Sequence, residues 1–154
     1  MAVPREGISI FLPLIVGTMT TVVTILIHAI ALRSILNFLR YQQRRGRTGA
    51  GFWTDLMIVT GTILVAFAAH LIEIAVWGFA FYRSGEFPDF AAALYHSAES
   101  YTTLGDEEVA LSKAWQLLGP LEAADGMLMF GVSTAVIFAV IQRLLEIRIH
   151  SNAT

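Results

Sequence analysis

Three apolar runs, each near the length that crosses a bilayer, constrain this chain more than any other feature. A helix rises 1.5 Å per residue, so a hydrocarbon core about 30 Å thick calls for about 20 residues. The first run, residues 8–32, holds His28 and no charge, and it is too long and wrongly flanked for a cleaved leader. The second, 56–81, is interrupted only by His70 and Glu73. The third, 126–141, has no ionisable residue and can extend toward Asp125 and Leu145. With 56 % hydrophobic and 14 % charged residues, the chain departs from soluble composition, and an all-α membrane protein with three transmembrane helices is expected.

Charge then sets the topology. Arg33, Arg40, Arg44, Arg45 and Arg47 lie between the first two runs, and Arg143 and Arg148 follow the third. The segment between the second and third runs carries Glu86, Asp89, Glu99, Asp106, Glu107, Glu108, Glu122 and Asp125 against only Arg83 and Lys113. The positive-inside rule puts both Arg-rich segments in the cytoplasm, the acidic segment and the N-terminus outside, and the chain in the cell inner (plasma) membrane as a multi-pass protein. The lipid bilayer is therefore the first expected partner. A net charge of −2 gives no ground for nucleic acid, and the absence of cysteine removes disulfides and thiolate metal sites. Residues 40–51, RYQQRRGRTGAG, read as a polar connector, with Thr54 or Asp55 able to cap the next helix. Residues 1–54 then form an N-terminal helix plus connector, and 55–148 a separate module.

The outer segment is the informative part. Pro88 and Asp89 precede FAAALYHSAESYTT, whose bulky members Phe90, Leu94, Tyr95 and Tyr101 are spaced for partial burial on a helix. At about 13 residues it is too short to span, so it reads as a re-entrant or interfacial helix that a Leu-Gly pair ends. Irregular backbone at membrane depth is tolerated only where protein or a water-filled cavity shelters it, which makes a pore loop one reading and a surface-lying helix the other.

The order of span, short helix, Thr-Thr-x-Gly turn and final span, over residues 56–145, resembles the pore module of tetrameric potassium channels. The segment SAESYTTLG, residues 97–105, is similar to the stretch leading into that family's TxGYGD filter, with Thr103, Leu104 and Gly105 matching its first three residues. The stretch GPLEAADGMLMFGVSTAVIFAVIQRL resembles the inner helix of small bacterial two-span members, with Gly131 at a gating-hinge position; close helix packing is the other reading of that glycine. The resemblance implies an outer helix, a pore helix over 89–102, a filter-like turn over 103–108, an inner helix over 125–145, and a homotetramer. It also implies that Glu99 braces the filter from behind, with Asp106 as its expected partner.

The chain departs from the family after the first glycine, where Asp106, Glu107 and Glu108 replace Tyr, Gly and Asp. A side chain at the second glycine meets a Cβ penalty of roughly 1 kcal/mol in left-handed geometry. In a fourfold assembly three acids per chain converge on one mouth, where like charges must be relieved by protons, bound cations or splaying into water. Such a ring attracts hydrated or divalent cations with weak selectivity, while Thr102, Thr103 and Leu104 carbonyls can form inner dehydrating sites for a monovalent cation such as K+. An exposed, solvated turn without a conducting role is the alternative reading of these acids.

His70 and Glu73 lie three apart on one face of the second run, and an ionisable residue at membrane depth is a functional-site hypothesis by default. With His28 they compose a candidate metal set, although no spacing signature supports one and no resident metal or other cofactor is expected. A polar network that pairs Glu73 with the Thr21 or Thr24 hydroxyl is the simpler reading. Catalytic motifs are missing, so an enzyme is not expected. The expected function is a cation channel with altered or weak selectivity. Its rivals are a non-conducting structural or regulatory subunit of a larger membrane complex, and a proton- or metal-linked carrier using His70 and Glu73.

Overall fold

The computed structural model describes residues 10–49, 51–105 and 111–151, and among them it is helical without a strand. The helices are α1 (Phe11–Arg44), α2 (Phe52–Ser84), α3 (Phe90–Tyr101) and α4 (Leu118–Ser151). Three of them, α1, α2 and α4, are long and apolar enough to cross a membrane, so the chain is an all-α, multi-pass membrane protein. With only 12 residues, α3 cannot cross.

The long helices outrun the apolar stretches that announce them. Arg40 to Arg44 belong to α1 rather than to the connector, because Arg and Gln are good helix formers whose long stems reach water from a helical backbone. The helix stops where Gly46 takes φ 65° and its N–H bonds back to the Gln43 carbonyl. Helix α2 begins at Phe52, which moves Asp55 into its first turn, where the carboxylate accepts the Gly49 N–H at 2.9 Å. At the start of α4, Gly119-Pro120 opens the helix instead of preceding it, since a first-turn proline gives up no helical hydrogen bond. Glu122, expected in the outer segment, is therefore helical like Asp125 at the expected start of the inner helix, and the two are 0 % and 2 % exposed.

The chain divides into two compact units. One comprises Met1–Ile25 and Ile72–Leu128, and holds the C-terminal part of α2, all of α3 and the start of α4. Its buried aromatic residues are Trp77, Phe81, Phe87 and Tyr101, with the Phe81 and Phe87 rings each 4.9 Å from that of His96. The other comprises Leu26–Leu71 and Met129–Thr154, around a core of Ile35, Ile58, Ala66, Val140 and Leu144. Within it Arg148 of α4 reaches Asp55 of α2 at 2.6 Å. Lipid is as apolar as these side chains, so close packing and polar ties, rather than exclusion from water, hold such helices together.

Candidate functional site

Helix α3 is built by its cap and held by one face. Asp89, extended at φ −146°, accepts the Ala92 N–H at 2.9 Å and satisfies a donor that the first turn cannot. Ala93, His96, Ser97 and Tyr101 are buried at the three- and four-residue spacing of one helical face. Gly78 of α2 makes room for α3, since a Cβ there would lie 3.0 Å from Leu94 Cα. Gly126 of α4 is tighter still. A Cβ on it would overlap the Tyr101 carbonyl oxygen and stand 3.1 Å from the carbonyl carbon.

The Leu-Gly pair does not end the helix; Tyr101 does. Thr103 N–H bonds to Ser100 O at 3.0 Å and Leu104 N–H to Glu99 O at 2.9 Å, the paired pattern of a Schellman terminus. Its left-handed position, usually glycine, is filled by Thr103 at φ 58°. A β-branched residue there is held against its preference by roughly 1–2 kcal/mol. Gly105 is also left-handed, at φ 72°. Thr102, Thr103, Leu104 and Gly105 are all exposed, at the negative end of the α3 dipole. Asp106, Glu107 and Glu108 fall outside the described residues.

Behind the turn stands a layer of buried carboxyl groups that side chains of all four helices engage. Tyr101 of α3 donates its hydroxyl to Glu73 of α2. Burial, and next the hydrogen bond to Glu73, push the Tyr101 phenol above its ordinary pKa, so it remains a donor. The Ser97 hydroxyl of α3 lies within hydrogen-bond reach of both the Ile74 carbonyl of α2, at 2.8 Å, and the Glu122 carboxyl of α4, and donates its one proton to one of them at a time. Asp125 Oδ2 of α4 accepts Trp77 Nε1–H of α2 at 2.8 Å and the Thr24 hydroxyl of α1 at 2.7 Å. Tyr101 is thus a partner of Glu73, while Thr24, a candidate for that role in the sequence, bonds to Asp125. Glu99 keeps Oε2 buried with no hydrogen-bond partner among the described residues, and its backbone carbonyl secures the turn.

Residues 69–143 match the family model described as an ion channel. That span is similar to an ion channel domain. It runs from the middle of α2 through α3 and the turn to Arg143 of α4, in keeping with the resemblance to the potassium-channel pore module. No curated protein and no solved structure matches the chain.

In the unit of Leu26–Leu71 and Met129–Thr154, a Cβ on Gly131 would meet nothing within 4 Å, so packing inside one chain does not require glycine there. His70 belongs to the same unit as Gly131, and its Nε2 lies 3.0 Å from Ser133 Oγ. Sequence reasoning passed over Trp77, Ser97, Tyr101, Glu122 and Asp125 as parts of one layer. The three-residue step from Glu122 to Asp125, which places both on one helical face, was the signal that could have paired them.

Proposed function

We propose that copies of this chain assemble around the 102–105 turn and conduct cations with weak or altered selectivity. The observation that carries this is an exposed, strained turn at the carbonyl end of α3, anchored from behind by buried side chains of all four helices. A turn so anchored can present carbonyl oxygens to an ion without collapsing onto its own chain, and the helix dipole favours positive charge there. Outward-facing Phe11, Met19 and Ile30 of α1 and Met127, Leu128 and Phe138 of α4 suit contact with lipid or with further copies.

In this reading four copies form the pore, and K+ or another monovalent cation meets the Thr102 to Leu104 carbonyls. The Asp106 to Glu108 ring gathers monovalent or divalent cations outside, Glu99 steadies the turn, and Gly131 allows α4 to bend. The N-terminus is external and the C-terminus cytoplasmic, in a plasma or inner membrane, as the arginine distribution favours.

The test is flux from liposomes carrying the purified full-length chain, with the number of copies per particle measured alongside. Potassium and sodium release above empty vesicles, lost on Gly105→Ala, is expected. Release equal to empty vesicles across pH and calcium would refute conduction. One copy bound among other subunits would instead favour a non-conducting role, the reading to which the missing GYGD points.

A further inference from the structure

A separate polar cluster lies in the unit formed by Leu26–Leu71 and Met129–Thr154. His28 of α1 and His70 of α2 both turn Nε2 toward Ser133 Oγ of α4, at 3.3 and 3.0 Å. A ring nitrogen of one imidazole lies within 4.8 Å of a ring nitrogen of the other, and the ring centroids are 5.4 Å apart. The three residues are only 3, 6 and 6 % exposed, and the Phe130 ring packs 4.5 Å from that of His70. A hydroxyl has one proton, so Ser133 donates to one Nε2 and accepts from the other. One of the two imidazoles thus already presents a lone pair to the shared point, and the other does so by exchanging its tautomer.

We propose that His28 and His70 form a binding site for a transition-metal cation that prefers imidazole, such as zinc, nickel or cobalt(II), with the Ser133 hydroxyl or a water completing it. A tetrahedral ion with bonds of about 2.0–2.1 Å to nitrogen holds its donors about 3.4 Å apart. The Nε2 to Oγ separations of 3.0 and 3.3 Å are close to that spacing. The two nitrogens come from different helices yet converge on one point, so closing them on an ion takes a small adjustment rather than a rearrangement. Nitrogen donors select against K+, Mg2+ and Ca2+, which prefer oxygen. The site therefore differs in chemistry from any cation position at the 102–105 turn, and it stands whether or not the chain conducts.

The experiment titrates Co2+, and Zn2+ in competition, into the purified full-length chain in detergent, following the visible absorption that tetrahedral nitrogen-bound cobalt acquires. Saturable binding is expected. His28→Gln and His70→Gln should each weaken it at least about tenfold, since even loss of an outer-shell partner commonly costs 10–100-fold. Ser133→Ala should cost less, and His150→Gln nothing. Should the glutamine variants lose helix by circular dichroism, X-ray absorption of the zinc-loaded wild-type chain decides the matter by counting imidazole ligands. Two or more support the site. Fewer than two, no saturable binding to the wild type, or folded glutamine variants that bind like it would overturn the proposal.

Discussion

Gly126→Ala should both destabilise the chain and displace the turn that follows α3. The added methyl would overlap the Tyr101 carbonyl oxygen and stand 3.1 Å from its carbon and 3.2 Å from its Cδ1. The obstacle is backbone of α3 rather than the tip of a flexible side chain, so relief requires the helix end itself to move. Overpacking of this kind costs about 1–3 kcal/mol, against about 1 kcal/mol recovered by replacing glycine inside a helix. The net loss is up to about 2 kcal/mol, and it lies toward that upper end because the atom that must yield is a backbone oxygen. Gly131→Ala supplies the control, because its methyl enters open space and only the gain of up to about 1 kcal/mol remains. Thermal or denaturant unfolding of the three purified proteins in one detergent measures the difference, and vesicle flux reports on the turn. If Gly126→Ala matched the wild type in both stability and flux, the close approach of α3 to α4 would be wrong. A loss of stability at Gly131→Ala would instead mean that a neighbouring copy covers that glycine, whereas its flux is no control, because α4 is proposed to bend there.

Thr103→Gly should leave the chain as stable as wild type or more so, by up to about 1 kcal/mol, because it removes a left-handed β-branched residue; a clear loss in unfolding experiments would refute the strained turn. Trp77→Phe should cost about 1–3 kcal/mol in the same measurement, since it strips the indole N–H from a buried Asp125 oxygen, and an unchanged unfolding midpoint would contradict that bond. Arg148→Ala should cost no more than about 1 kcal/mol, and less at high salt. The guanidinium is a third exposed despite its 2.6 Å contact with Asp55, and a salt-independent loss would show the pair to be better shielded than that.

The helices were legible because apolar length is a direct measure of what a bilayer demands, and α3 was legible from Pro88-Asp89 ahead of a run of good helix formers. What stayed hidden were the ends. Arginines mark a membrane boundary, yet they do not stop a helix, so α1 runs on to Arg44. Gly119-Pro120 looks like punctuation, although proline is at ease in a first turn. The candidate site was half visible. The Thr-Leu-Gly signature drew attention to the turn, but a lone Glu or Asp in sequence does not reveal whether a distant hydroxyl or indole awaits it. Glu122 and Asp125 therefore counted only as charges of the outer segment, although Ser97, Trp77 and Thr24 engage them inside the protein. Thr103 was unreadable for a different reason, since its position in such a helix end ordinarily signals itself by being glycine.

The bond from Thr24 to Asp125 has a practical corollary for anyone tempted to shorten this protein. Cutting away the first helix to obtain a minimal two-span channel would strip the Asp125 carboxyl group of its Thr24 donor within a turn of where α3 meets α4. The first helix is better regarded as a structural rib than as a leader or a decoration, and a truncated version that failed to behave as a channel would say little about the intact one.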